Sequence, residues 1–294
     1  MFVSSLAAAA QSQSRVPNFV LITCDDMGYA DIEPYRAEVN YTPNLARMAR
    51  EGLKFTSWYS APVCSPSRAA LMTGCYPKRV GLSFGSWHAV LMPGDWHGLN
   101  PSEITVAEIL KDRGYVTGCI GKWHLGDEAE YQPERRGFDE VFIHGGGGIG
   151  QVYPGSCGDA PRNTYFNPAI LHNGTFERTQ GYCTDVFFAQ ALRWIATRKD
   201  RAEPFYAHIA TNAPHAPLQV RPEDEARYAG KVPDAATAKY FGMVANIDDN
   251  VGRLLDQLDA WGLRERTLIV FMNDNGGTGG VKVFNAGMRG QKGS

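Results

Sequence analysis

Short runs of apolar and β-branched residues alternate with stretches of helical periodicity, and this alternation constrains the fold more than any other feature. The apolar runs occupy residues 18–24, 115–120, 205–211 and 267–273. They lack period-two alternation, which predicts strands buried on both faces, as in a parallel sheet. Helices are predicted for 42–52, 102–114, 184–199 and 237–262, with Thr42, Ser102 and Thr184 at the first three N-termini. We therefore expect an α/β fold with a large, mostly parallel sheet flanked by helices.

Composition excludes several classes of function. The 294 residues suffice for one large domain or two small ones, and the formal net charge of −2 comes with no basic stripe. Nucleic acid is therefore not an expected partner. No apolar run is long enough for an integral membrane span. Residues 1–16 are predicted to be either a truncated signal peptide or a disordered tail. We expect an exported protein, whether periplasmic, secreted or lysosomal.

The six cysteines are too sparse for a disulfide scaffold in a chain of this length. Cys24 and Cys119 fall inside apolar runs and are predicted to be buried thiols that pack as small hydrophobic residues. Cys157 and Cys183 lie in polar surroundings and could pair in an exported protein.

Polar side chains follow each of the four predicted strands. They are Asp25 and Asp26, Lys122 and His124, His215, and Asp274 and Asn275. Because ligands of open α/β sheets bind outside the carboxyl ends of the strands, we expect these side chains to meet at one edge.

The oxygen-bearing residues of this set suggest a cation site. Asp25, Asp26, Asp274 and Asn275 offer only oxygen ligands, which suits Ca²⁺ or Mg²⁺ rather than zinc. The alternative is that the paired aspartates are solvated turn residues. Lys122 and His124, two residues apart, would point to one side of an extended chain and serve anion binding and proton transfer. The alternative for His124 and His215 is a structural role.

Cys64 stands where a predicted helix begins, and Arg68 follows one turn later. A helix N-terminus lowers the pKa of a thiol, and Arg68 would help to bind an anion. Cys64 is then either a buried or reactive thiol at a helix terminus or the nucleophile of a thiol hydrolase. Neither interpretation explains the oxygen ligands, because a soft thiolate matches a hard cation poorly.

The segment from Cys64 to Arg68, Cys-Ser-Pro-Ser-Arg, resembles the C-x-P-S-R motif of type I sulfatases, the arylsulfatase-like family within the alkaline phosphatase superfamily. Similar segments cover nearly the whole chain: PNFVLITCDDMGYAD, TPNLARMAREG, GYVTGCIGKWHLG, RRGFDEVF, NAPHAP, NDNGG and MRGQKGS, which carries Lys292. Family members usually continue well beyond the last segment. Residues 17–294 are therefore expected to be a C-terminally truncated sulfatase catalytic domain without the smaller C-terminal subdomain.

The resemblance implies roles for ten residues. A formylglycine-generating or sulfatase-maturating enzyme would oxidise Cys64 to formylglycine, whose hydrated aldehyde is the nucleophile. The modified Cys64 would bind Ca²⁺ together with Asp25, Asp26, Asp274 and Asn275. Arg68 would orient the formylglycine, and Lys122 and Lys292 would bind sulfate oxygens. His215 and Lys292 would protonate or stabilise the leaving oxygen, and His124 would take a proton from the second hydroxyl.

The function implied is hydrolysis of sulfate monoesters. A sulfated carbohydrate is the favoured substrate, and a sulfated small molecule would react as a surrogate. The expected biological process is polysaccharide degradation. Residues 83–98 and 144–182 are predicted to be loops that rim the pocket. Two alternatives stay open. One is a phosphonate monoester or phosphodiester hydrolase of the same superfamily, and the other is an inactive truncated relic.

Overall fold

Seven strands form one mixed sheet in the computed structural model, which describes residues 16–83, 90–151 and 162–294. The strands are β1 (Asn18–Cys24), β2 (Val116–Lys122), β3 (Glu140–His144), β4 (Ala169–His172), β5 (Thr175–Arg178), β6 (Phe205–Ala210) and β7 (Thr267–Asn273). Their order across the sheet is β5-β4-β3-β2-β6-β1-β7. Five strands are parallel, and β4 and β5 add an antiparallel hairpin beside β3. The expected α/β fold with a mostly parallel sheet is confirmed.

Helices cover both faces of the sheet. They are α1 (Pro43–Glu51), α2 (Cys64–Thr73), α3 (Val106–Asp112), α4 (Cys183–Ala196), α5 (Pro222–Ala226) and α6 (Ala235–Ala260). One core cluster joins α4 and α6 to one side of β1, where Val20 and Ile22 lie. The other joins α2 and α3 to the opposite side of β2, where Cys119 lies. Both faces of the central strands are therefore buried, as their unbroken apolar runs predict.

Three strands were not predicted from the sequence. β3 was not predicted, and β4 and β5 fall inside 144–182, which was predicted to be loop. The prediction failed because β4 and β5 have only four residues each, and every residue of β5 is exposed. β4 carries only a short apolar run and β5 carries none, so the pairing of β4 with β3 and of β5 with β4, rather than local pattern, defines them.

Helix starts differ from the predicted caps. α3 begins after Thr105, whose hydroxyl accepts a hydrogen bond from Glu108 N at 3.2 Å while the Glu108 carboxylate accepts one from Thr105 N at 2.6 Å. This capping box replaces the expected cap at Ser102. α4 follows Tyr182 rather than Thr184. Thr42 does precede α1, but its side chain makes no cap bond, and Asp248 of α6 accepts the N–H of Leu45 at 2.7 Å instead.

β7 lies at one end of the strand order, and there the expectation of two buried faces is wrong. Leu268 and Val270 on this strand are 54% and 41% exposed. Within the described residues β7 pairs with β1 and with no other strand. An apolar run therefore predicted the strand correctly but not its exposure, because burial depends on neighbours that lie far away in sequence.

The prediction of buried thiols at Cys24 and Cys119 is confirmed, but Cys183 lies in the hydrophobic core rather than in polar surroundings. Cys24 and Cys119 are fully buried thiols, and Cys183 is a buried free thiol on α4. Cys157 lies outside the described residues, so its suggested pairing with Cys183 stays a prediction. Among the described helices, none is both long and apolar enough to cross a bilayer.

Candidate active site

The register of β1 and β7 brings four of the predicted oxygen ligands together. Cys24 at the end of β1 pairs with Asn273 at the end of β7, so the residues that follow leave the sheet side by side. Asp274 N donates to Cys24 O at 2.9 Å, and Asp26 N lies 3.4 Å from Asp274 Oδ1. Asp25, Asp26, Asp274 and Asn275 are all buried. The carboxyl edge of the sheet therefore concentrates three carboxylates and the amide of Asn275 in a small volume.

Cys64 is the first residue of α2 and faces this cluster. Its thiol donates to Asp25 Oδ1 at 3.3 Å, and the ammonium of Lys292 lies 3.6 Å from its sulfur. The side chain is only 2% exposed. Burial, followed by the charge of Asp25, raises the pKa of the Cys64 thiol to about 12. The expectation of a lowered thiol pKa is therefore wrong, because burial outweighs the helix N-terminus.

Arg68 lies one turn into α2 and binds a carboxylate of the protein itself. Its Nε and terminal nitrogen donate to Asp274 Oδ2 at 3.1 and 2.9 Å, and a third nitrogen donates to Lys122 O at 3.0 Å. Arg68 and Asp274 are 2% and 1% exposed. The buried guanidinium thus ties α2 to the ends of β7 and β2, and the anion beside it is Asp274.

Two lysines neutralise the remaining aspartates. Lys122, buried at the end of β2, pairs with Asp25, and Lys292 pairs with Asp26 Oδ1 at 2.6 Å. Backbone bonds hold Lys292 in place, because its N–H donates to Gly277 O and the next residue donates to Pro62 O. Burial raises the pKa of Asp25, but the charges of Lys122 and the other surrounding cations together outweigh it and hold that pKa well below its usual range.

Burial and the charge of Asp25 raise the pKa of Asp274 to about 7. This shift arises because neighbouring carboxylates repel each other where little solvent can screen them. A cation between them would remove that repulsion. The electrostatics of the cluster therefore favour a positive ion that touches more than one carboxylate.

The donor set fits a hard cation. Ligand atoms of Asp25, Asp26, Cys64 and His215 all lie within 4.8 Å of one another. Asn275 Nδ2 donates to Asp26 Oδ1 at 2.8 Å, but the buried Asn275 Oδ1 has no hydrogen-bond partner among the described residues. An orphaned amide oxygen beside carboxylates is an oxygen ligand of the kind that Ca²⁺ takes. The residues present therefore fit a calcium ion.

His215 reaches the cluster from the loop after β6. Its Nε2 lies 3.7 Å from Asp26 Oδ2. Its Nδ1 lies 2.6 Å from Ala216 O, and because a carbonyl only accepts, this nitrogen carries the proton. Nε2 is then free to exchange a proton at the cluster. His215 is one of the less buried members of the site, so it lies towards the entrance.

His124 is oriented differently from the expectation. Its backbone is left-handed, with φ of 57°, so the extended-chain argument that placed it beside Lys122 does not hold. Nε2 lies 2.8 Å from Leu91 O and must donate to it, while the buried Nδ1 has no hydrogen-bond partner among the described residues. Burial, followed by the charge of Lys122, lowers the pKa of His124 well below 6.5. His124 is therefore a neutral imidazole with a free lone pair.

Two further polar residues at this edge were missed. His144 ends β3 directly opposite Lys122 of β2, and Asn212 Nδ2 lies 3.3 Å from His144 Nδ1. Burial, followed by the charge of Lys122, lowers the pKa of His144 to about 3. The strand-end rule that found Lys122 would also have found His144, had β3 been recognised.

Carboxylates, fixed cations and a buried thiol lie together at the carboxyl edge of a parallel sheet, an arrangement that suits a hard cation next to an anion. A family model described as Sulfatase matches residues 17–292. The rat N-acetylgalactosamine-6-sulfatase is 36% identical over 93% of this chain, and human arylsulfatase A is 36% identical over 92% of it. The crystal structure of Ps i-CgsB in complex with k-i-k-neocarrahexaose superposes with a TM-score of 0.84, at 32% identity, over 95% of this chain and 63% of that one.

The chain belongs to the sulfatase family, and its sheet and helices have the sulfatase, alkaline-phosphatase-like fold. It spans about half the length of the two curated relatives, covering 52% of the rat protein and 54% of the human one.

Proposed function

We propose that this protein hydrolyses sulfate monoesters, using a formylglycine made from Cys64 and a calcium ion held by the surrounding oxygen ligands. One observation carries the proposal. Cys64 lies 3.3 Å from a carboxylate that belongs to a hard-cation site, and its pKa is raised to about 12. A thiol in that position is a poor nucleophile and a poor calcium ligand. A hydroxyl oxygen in the same place could serve both as the nucleophile and as a calcium ligand.

Asp25, Asp26, Asp274 and Asn275 would hold the calcium ion, with the modified Cys64 as a further ligand. When bound, the ion would lower the pKa of a coordinated hydroxyl and neutralise sulfate charge. Arg68 would then keep the Asp274 carboxylate in place, since two of its nitrogens donate to one oxygen of that carboxylate.

The modified residue would supply a hydrated aldehyde. One hydroxyl would attack sulfur while the bond from sulfur to the alcohol oxygen breaks. The other would later lose a proton, so that the carbon–oxygen bond to sulfate breaks and the aldehyde is restored. His124 is suited to accept that proton. It is neutral, its Nε2 is committed to Leu91 O, and its Nδ1 has an unused lone pair. A base that was protonated at neutral pH could not serve this step.

Lys292, Lys122 and His215 would act on the sulfate and on the leaving oxygen. Lys292 is 23% exposed and Lys122 is fully buried, so Lys292 meets an entering sulfate first. The fixed ammonium groups would stabilise charge that shifts between sulfate oxygens and the leaving group. His215 Nε2, near the entrance, would give a proton to the leaving oxygen from the ring form in which both nitrogens are protonated, and Nδ1 would keep its bond to Ala216 O.

A sulfated carbohydrate is the substrate class we propose, supported by the carrahexaose bound to the similar Ps i-CgsB and by the N-acetylgalactosamine named for the rat relative. Of the predicted pocket rim, residues 84–89 and 152–161 lie outside the described residues. Trp96 of the described rim is 70% exposed and offers a face on which a sugar ring could stack. Export and a maturation enzyme as partner complete the proposal. Export is predicted from the sequence of residues 1–16, of which the structure describes only Val16.

The mass of the tryptic peptide FTSWYSAPVCSPSR, residues 55–68, tests the proposal. After co-expression with a formylglycine-generating enzyme, we expect a peptide lighter by the difference between a thiol and an aldehyde side chain. Cys64→Ala is the control and must not show the shift. An unmodified thiol that can be alkylated under these conditions would refute the mechanism. Cys64 would then be an ordinary cysteine at a helix terminus.

Rates on paired aryl sulfate and aryl phosphonate esters test the reaction class. We expect the modified protein to turn over the sulfate and the Cys64→Ala control to turn over neither. Faster turnover of the phosphonate would identify a phosphonate hydrolase instead. A modified, calcium-binding protein that hydrolysed neither ester nor any sulfated sugar would be an inactive relic.

A further inference from the structure

A buried carboxyl group that the proposed mechanism does not use lies next to the cation site. Asp31 follows β1 by seven residues and is fully buried. Its Oδ2 accepts the N–H of Gly28 at 2.6 Å and lies 2.6 Å from the hydroxyl of Tyr240. Burial raises the pKa of Asp31, against the two hydrogen bonds from Tyr240 and Gly28, which lower it.

Tyr240 connects this carboxyl group to the site. It lies on α6, is fully buried, and its hydroxyl is 2.8 Å from the backbone carbonyl oxygen of Asp26. Asp26 has a left-handed backbone with φ of 66°, which is uncommon for a residue with a side chain. Such a conformation persists only where its surroundings hold it. The hydrogen bond from Tyr240 holds the residue that pairs with Lys292 and faces His215.

The second ligand-bearing loop packs against the same two side chains. Gly277, Gly279 and Gly280 follow Asn275 in the loop after β7. A Cβ at Gly280 would overlap the Asp31 carboxyl group, and one at Gly279 would overlap the ring of Tyr240. Both loops that deliver oxygen ligands therefore rest on Asp31 and Tyr240, and glycine allows the close approach.

We propose that Asp31 and Tyr240 are positioning residues that fix the Asp25–Asp26 turn and the 276–280 loop in the geometry that a divalent cation requires. This inference rests on the proposed function, because cation binding at Asp25, Asp26, Asp274 and Asn275 is part of it. Loss of such outer partners costs about 10- to 100-fold in metal affinity. Neither residue is expected to touch the substrate.

Calorimetric titration of the full chain with calcium chloride tests the proposal. Tyr240→Phe removes only the hydroxyl and is expected to weaken calcium binding by about 10- to 100-fold. Tyr115→Phe is the matched control, because the hydroxyl of the buried Tyr115 also donates to a backbone carbonyl, that of Pro17, at the opposite end of the sheet. It is expected to bind calcium like the wild-type chain. Melting temperatures in EDTA establish that both variants are folded.

The carboxyl group has its own pair of variants. Asp31→Asn keeps an acceptor for Gly28 N and is expected to retain most of the calcium affinity, whereas Asp31→Ala is expected to lose it. Equal calcium affinity in Tyr240→Phe, Tyr115→Phe and wild type would overturn the positioning role while leaving the proposed function intact. A wild-type chain that does not bind calcium would overturn the proposed cation site and this inference together.

Discussion

Replacing Arg68 with methionine should destabilise the protein strongly, because it would leave Asp274 as a buried charge without its partner. Arg68 donates three hydrogen bonds, two to Asp274 Oδ2 and one to Lys122 O. Both members of the pair are almost completely buried. Removing one partner of a buried pair costs about 3 to 5 kcal/mol, a large part of the roughly 5 to 15 kcal/mol that stabilises a typical domain.

Urea unfolding in EDTA at about pH 9, above the raised pKa of Asp274 (about 7), keeps this carboxyl ionised. Circular dichroism then measures the cost. Arg47→Met is the matched control, because Arg47 pairs with three carboxylates, those of Glu51, Asp256 and Asp259, at 2.6 to 2.9 Å. Its side chain is 30% exposed. Solvent screens such pairs, so we expect the control to lose only about 0 to 1 kcal/mol.

The double variant Arg68→Met with Asp274→Asn separates charge burial from lost packing. Removing both charges leaves no uncompensated carboxylate, so we expect it to be more stable than Arg68→Met alone. If Arg68→Met cost no more than Arg47→Met, burial would not set the strength of the pair and the reasoning would be refuted.

Three further predictions concern the thiol, the cation and a helix terminus. With its pKa raised to about 12, only about one in ten thousand Cys64 thiols is ionised at pH 8. We therefore expect iodoacetamide to label the half-buried Cys75 before Cys64 in the folded, unmodified chain. Labelling of Cys64, monitored by peptide mass spectrometry, should rise about tenfold per pH unit. Calcium at about 100 times its Kd should add about 2.7 kcal/mol to the free energy of unfolding, and Asn275→Ala, which removes the orphaned amide oxygen, should reduce this gain in a thermal melt. Asp248→Ala should cost about 1 to 2 kcal/mol, since α1 would lose the acceptor for Leu45 N, and an unchanged melting temperature would show that water replaces it.

Local pattern predicted the parts of the fold that bury unbroken apolar runs. The bounds of β1 and β7 agree with the predicted runs to the residue, because both strands are largely apolar and are bounded by polar residues. The hairpin of β4 and β5 was missed, because its strands are short and β5 is exposed. Exposure of β7 was missed for a related reason, since no local signal says how many neighbours a strand has.

The candidate site could be predicted as a set of residues but not as a set of contacts. Strand ends and the resemblance named Asp25, Cys64 and Lys292, and the structure brings them together. The pairing of Arg68 with Asp274 joins residues 206 positions apart, so spacing along the chain could not reveal it. The pKa of Cys64 was predicted in the wrong direction for the same reason, because burial arises from the whole fold.

The burial of Cys64 implies that its proposed modification would precede the packing of α2 during folding. The side chains of residues 64–68 are all buried once α2 has packed against the sheet. The proposed modifying enzyme would have to reach the buried thiol, so it would act before α2 packs. Conversion of Cys64 to formylglycine would therefore compete with folding. The fraction of active molecules would depend on the ratio of the modification rate to the folding rate. A chain that folded faster would, by this argument, emerge less completely converted and less active per molecule.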